Sequence, residues 1–151
     1  LFWEDVEKGS EVPALLKTAT TQMLVKWAGA SSDFNPLHYD FPFAESQGVG
    51  KPIVHGQLKR AWLVQLMIDW IGDEGTLKEF SCQFRAMDYP LLMKSLSEPV
   101  ENRVTHWCKG KIVDKYLKNG EYLVECEIWV ENDKGEITTP GKAVVILPSR
   151  G

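Results

Sequence analysis

The chain has 151 residues, 44% hydrophobic and 25% charged. At about 100–150 residues per typical domain, this argues for one compact unit, 1–151, that can bury roughly 70% of its extended surface without disulfide or metal staples. Lys and Arg number 17 against 21 Asp and Glu, a net charge of -4 with no basic block, so duplex nucleic acid is not expected as a partner. The three cysteines, Cys82, Cys108 and Cys126, are widely spaced and form no CxxC pair, which points to reduced, buried thiols in a cytoplasmic protein rather than to zinc or redox work.

The opening LFWEDVEKGSEVP carries acids where a signal peptide needs a basic start, and no membrane address is expected from it. Residues 1–17 show little periodicity, and 9–13 reads as a loop. Thr18, Thr20 and Thr21 form a helix-start cluster. Leu24, Trp27 and Ala28 then fall at i, i+3 and i+4, predicting a short helix over 21–30 with Thr20 or Thr21 as N-cap and Gly29 and Ser31 at its end. Between 31 and 55 lie Asp33, Asn35, Pro36, Pro42, Gly48, Gly50 and Pro52, too many breakers for a long element and too many aromatics for disorder, so an ordered functional loop is expected.

From Gly56 the segment QLKRAWLVQLMIDWIGDEG is apolar on almost every side of a helical wheel, which predicts a helix buried nearly all round. Lys59, Arg60, Gln65 and Asp69 interrupt it, and it falls short of the roughly 20 residues a membrane span requires. Strands are expected over 77–87, 103–116, 122–130 and 136–147, with an irregular connection over 88–102. The third is the clearest, because Tyr122, Val124, Cys126, Ile128 and Val130 alternate with Glu121, Glu125, Glu127 and Glu131. KNGE at 118–121 and NDKG at 132–135 supply hairpin residues, while Pro140 and Gly141 suggest a bulge or an edge position in the last strand. These patterns describe an α+β protein in which long antiparallel strands wrap one apolar helix.

The loop before that helix places Asp33 and His38 within five positions, beside the amide of Asn35. Pro36 restricts its own φ and the conformation of Asn35, so a carboxylate and an imidazole can be held in one relative orientation, as acid–base chemistry requires. Asx residues around a proline are also ordinary turn material, with Asp33 capping and His38 packing. His55 and His106 read as hydrogen-bonded structural histidines, Asp40 as a cap, and Trp62 and Trp70 as core or dimer packing.

The string Ser32-Asp33-Phe34-Asn35-Pro36-Leu37-His38-Tyr39-Asp40, followed by Ala44, Gly48 and Pro52-Ile53-Val54-His55-Gly56, resembles the signature of the MaoC-like dehydratases, which include the (R)-specific enoyl-CoA hydratases. Ser32 stands where that family commonly has Gly. The resemblance implies a hot-dog fold: a curled antiparallel sheet around a long central helix that begins at Gly56, with the signature loop overhanging it. It also implies that Asp33 and His38 hold and activate a water for reversible addition to a 2-enoyl thioester, with Asn35 supporting the loop. A free N–H at Gly56 would then meet the thioester oxygen, at the first turn of the helix where orphan amide donors and the positive end of the macrodipole coincide. The substrate would be a CoA or acyl carrier thioester, with no metal and no redox cofactor. The assembly would be a homodimer or higher homo-oligomer, with a heterodimer also open. Two alternatives on the same fold are a non-catalytic partner subunit and an acyl-CoA thioesterase.

Overall fold

The computed structural model describes residues 1–97 and 103–151. Strand β1 (Glu11–Lys17) leads into helix α1 (Thr21–Ser31), then the short helix α2 (Phe41–Ser46) and the long helix α3 (Gly56–Ile71). Strands β2 (Thr76–Cys82), β3 (His106–Lys118), β4 (Glu121–Asn132) and β5 (Ile137–Ile146) complete the chain. They form one antiparallel sheet in the order β1-β3-β4-β5-β2. The sheet is open, and α3 touches all five of its strands. This is the hot-dog arrangement that the signature implied.

α1 begins as expected, with the Thr20 hydroxyl accepting the Met23 N–H at 3.1 Å. In β4 the alternating side chains Val124, Cys126, Ile128 and Val130 are buried, as the period-two pattern required. The β3–β4 hairpin closes through Asn119 and Gly120 at φ 53° and 80°, the positive pair that a two-residue turn of matching twist needs. Cys108 and Cys126 are buried free thiols, which burial pushes up to about 12. Cys82 is only half-buried, contrary to the expectation for all three.

Several boundaries differ from the sequence reading. Residues 11–17, where periodicity is weak and 9–13 reads as a loop, form the edge strand β1. Its Pro13 falls where the β1–β3 register shifts between Val12 and Leu15, so the missing N–H interrupts no regular ladder. The strand expected over 77–87 stops at Cys82. Pro140 lies on an interior strand rather than an edge, and the irregularity expected as the alternative falls just before it, where the β4–β5 register shifts between Val130 and Glu131. The Pro140 carbonyl accepts the Gln83 N–H at 2.9 Å, beyond the last β2–β5 pair at Cys82 and Gly141. Its absent N–H therefore faces a point where β2 has already ended. Of the connection expected over 88–102, residues 98–102 lie outside the described residues.

α3 is not buried all round. Leu58, Trp62, Leu63, Leu66, Met67 and Ile71 enter the core with Lys59, but Ile68 stays 47% exposed. Ile68 is thus left uncovered by this chain's own sheet, among the exposed Gln57, Arg60, Gln65 and Asp69. No helix among the described residues is long and apolar enough to cross a membrane.

The seam between β2 and β5 is tight: a Cβ on Gly141 would lie 2.5 Å from the Ser81 carbonyl oxygen. Backbone cannot yield there as a side chain does. Gly141→Ala is expected to destabilise the protein by about 1–3 kcal/mol, the scale of overpacking, read as a lower urea midpoint with an unchanged slope. A midpoint equal to wild type would show that β2 is free to move away.

Candidate active site

The loop after α1 is built from short side-chain-to-backbone bonds. Ser32, the C-cap, has φ 60°, a left-handed conformation that favours glycine, so a serine there keeps the turn at some strain. Asp33 Oδ1 accepts the Asn35 N–H at 3.3 Å, and Asn35 Oδ1 accepts the Leu37 N–H at 3.1 Å. Asn35 thereby caps a single 3-10 turn, Pro36–His38. Asp40 Oδ1 accepts the Phe43 N–H at 2.9 Å and caps α2. Each Asx side chain replaces a bond the backbone cannot make for itself.

This turn swings His38 back toward Asp33. His38 Nδ1 lies 2.8 Å from the Ile53 carbonyl oxygen, which can only accept, so Nδ1 carries the hydrogen and Nε2 offers its lone pair in the neutral ring. Nε2 lies 4.0 Å from Asp33 Oδ2. The imidazole side chain is 10% exposed and the carboxylate 39%, so the pair is sheltered on one side and open on the other.

A third group completes the cluster. His55, fully buried, stacks on His38 with ring centroids 3.8 Å apart and planes at 19°. Its Nε2–H donates to the Asp33 carbonyl at 3.3 Å, while Nδ1 has no hydrogen-bond partner. Desolvation first, and the adjacent His38 second, lower the His55 pKa below its ordinary value, partly offset by Asp33. His55 is therefore a neutral brace under the loop.

Ligand atoms of Asp33, His38 and His55 lie within 4.8 Å of one another. The lone pairs of two stacked imidazoles lie in nearly parallel planes, however, and cannot converge on one ion at about 2.0–2.1 Å unless a ring turns. The cluster is better suited to moving protons than to holding a metal.

Gly56 opens α3, with His55 as its N-cap and no side-chain cap bond. The first residue of a helix has no intrahelical carbonyl for its N–H. His38, Gly56, Lys59, Phe84 and Met87 line one cavity of about 290 Å³. On the Cα side of Gly56 a Cβ would meet the Phe84 ring at 2.9 Å. The close approach made there in this structure is thus that of an aromatic side chain.

The sequence reading missed what lies beneath this cavity. Lys59, 2% exposed, donates to Asp88 Oδ2 at 2.8 Å and to the Ala86 carbonyl at 3.0 Å. His106 Nε2 lies 3.2 Å from Asp88 Oδ1, and the Thr138 hydroxyl donates to Oδ2 at 2.5 Å. Burial alone would raise the Asp88 carboxyl, but His106, Lys59 and Thr138 together hold it below its ordinary value. One signal was available: Lys59 stands three and four residues before Trp62 and Leu63, on the face that must enter the core. Nothing local points to Asp88.

Residues 7–91 match the family model described as a MaoC like domain. The chain belongs to the MaoC-like dehydratase family. Its fold is similar to that of the (R)-hydratase from A. caviae involved in PHA biosynthesis, with TM-score 0.77 and 22% identity over 96% of this chain and 99% of that one. A MaoC-like dehydratase from Rhodospirillum rubrum gives TM-score 0.80 at 16% identity, covering 100% and 99% of the two chains. The ChsH1-ChsH2 complex from Mycobacterium tuberculosis contains a chain with TM-score 0.74 at 17% identity, the coverage being 94% and 98%. A curated relative, the fatty acid synthase subunit beta of Gibberella zeae, is 35% identical over 52 residues. That match spans 34% of this chain and 2% of the synthase subunit.

In this MaoC-like chain the depressed pKa of His55 has a defined consequence for stability. The unfolded chain protonates His55 near the ordinary imidazole value of about 6.5, whereas the folded chain keeps it neutral to lower pH. The unfolded state then binds more protons, so stability is intact above about pH 6.5 and declines as pH falls toward the depressed folded value. Replacing the group by His55→Asn is expected to flatten that acid-side decline, measured by urea midpoints between about pH 7 and pH 5. An unchanged decline would assign the titration to another group.

Proposed function

We propose that the chain is a hydro-lyase acting on acyl thioesters: it adds water to a 2-enoyl thioester and, in reverse, dehydrates the (R)-3-hydroxyacyl thioester. The observation that carries this reading is the pair of acceptors, His38 Nε2 and Asp33 Oδ2, facing each other 4.0 Å apart, with His38 on the same cavity as the opening residue of α3. A water donating one hydrogen to each acceptor keeps a lone pair for C3 of the enoyl group. As the O–C3 bond forms, one water proton passes to the pair, the C2–C3 π electrons move toward the thioester carbonyl, and a proton returns to C2. The carbonyl oxygen gains charge in this step, so a donor at Gly56 N–H, helped by the positive end of α3, stabilises the transition state more than the ground state.

Asn35 supports the loop through its bond to Leu37 N–H. The acyl carrier is CoA or an acyl carrier protein, and no metal or redox cofactor enters the reaction. Exchanging Asp33→Asn or His38→Gln is expected to lower kcat by at least about two orders of magnitude, the lower bound of the usual range for a general acid or base, with circular dichroism unchanged. The assay is loss of enoyl absorbance across short, medium and branched 2-enoyl-CoA thioesters. Wild-type inactivity across that panel would favour a partner subunit or a thioesterase. A folded variant at near wild-type rate would overturn the assigned pair.

The chain also acts as part of an oligomer in this reading, as a homodimer or with a related partner. β2 is an unpaired sheet edge and Ile68 of α3 is uncovered, and a cavity of about 290 Å³ is at the small end for a ligand the size of an acyl thioester. Sedimentation at micromolar concentration is expected to give a species larger than a monomer. An active monomer would remove the need for a completed site.

A further inference from the structure

We propose that the buried Lys59–Asp88 ion pair is a positioning device that fixes the outer wall of the substrate cavity, and so governs how tightly an acyl group is held. This deepens the hydratase reading and rests on it for the identity of the substrate. The wall is the segment 83–87, which supplies Phe84, Arg85, Ala86 and Met87 to the cavity. All five of its residues are exposed, so the segment has almost no apolar burial to hold it in place. It has also left the regular ladder. Gln83 N–H still donates to the Pro140 carbonyl, and the Arg85 and Ala86 N–H groups share the Thr138 carbonyl at 3.0 and 3.1 Å.

The next residue, Asp88, is the anchor. Its side chain is gripped by Lys59, His106 and Thr138, and its carbonyl accepts the Val54 N–H at 2.8 Å. The first of these contacts comes from α3, the second from β3, the third from β5, and the backbone bond from the irregular segment that leads into Gly56. Lys59 also holds the Ala86 carbonyl directly. One ammonium on the first turn of α3 thus fastens the wall to the same turn that begins with Gly56, and sets how closely Phe84 approaches it.

Stability alone gives little reason for such a pair. A buried ion pair is often no better than apolar residues of equal volume, and a lysine in the first turn opposes the helix dipole. Registration of an otherwise unpacked segment is what the pair supplies and an apolar contact does not.

The test is a Lys59→Met/Asp88→Leu double variant, which keeps the volume and removes both charges. Exchange at the Val54, Arg85 and Ala86 amides is expected to quicken by about tenfold or more while β4 amides stay protected, the pattern of local rather than global opening. On the best enoyl-CoA substrate, KM is expected to rise about fivefold or more with kcat within about twofold, the mark of lost binding rather than lost chemistry. If the double variant does not fold, Thr138→Val removes one bond to Asp88 and is expected to show the same pattern on a smaller scale. Unchanged exchange at the three amides overturns the proposal, as does a fall in kcat with KM unmoved. If the wild type turns over no enoyl thioester, the hydratase reading falls, and amide exchange alone then decides the positioning role.

Discussion

The burial of α3 against the open sheet is the constraint from which the other features follow. Its Leu58, Trp62, Leu63, Leu66, Met67 and Ile71 supply the centre of the core, so the axis of the helix is fixed by contacts with every strand. Fixing the axis also fixes where its N-terminus emerges. A loop that ends at that N-terminus inherits a rigid platform, and the orphan N–H groups of the first turn gain a defined direction. The same burial creates a difficulty, because position 59 turns inward and carries an ammonium. Removing that charge from water costs several kcal/mol unless partners replace the lost hydration. Asp88 and the Ala86 carbonyl do so, and the solution of a core problem thereby ties down part of the candidate site.

What was legible in the sequence follows the range of the interactions involved. α3 and β4 stand out because apolar spacing reports burial directly. The loop around Asp33 is legible because its geometry is set within a few residues, through Asx bonds and Pro36. β1 was not legible, since Pro13 and a register shift erase the alternation that would mark a strand. The polar network was not legible either: Lys59 and Asp88 are 29 positions apart, and Asp88 and Thr138 are 50 apart. His106 read as a core histidine with no acid nearby, and only the folded sheet brings one to it.

Two kinds of polar order therefore meet at one cavity. Short-range bonds arrange the side that carries Asp33 and His38, and His55 braces that side from below through a stack and a single bond to the Asp33 carbonyl. Long-range bonds arrange the opposite wall. Local turns can be made and broken cheaply, whereas a network buried among three elements responds as a unit. Asp33 and His38 thus sit on the locally determined side, and the wall opposite them is held by the buried network.

Gly56 is where these two sides meet. It directly follows His55, whose ring supports the loop, and it shares the first turn of α3 with Lys59, whose ammonium holds the wall. A side chain there would strike the Phe84 ring at 2.9 Å. The ring is exposed on its far side, so it would be displaced outward rather than compressed, and the cavity would change shape before the helix lost much stability. The glycine is required by the wall packed against its Cα, independently of what its N–H does. A single absent side chain in this way couples the helix that organises the core to the segment that bounds the site.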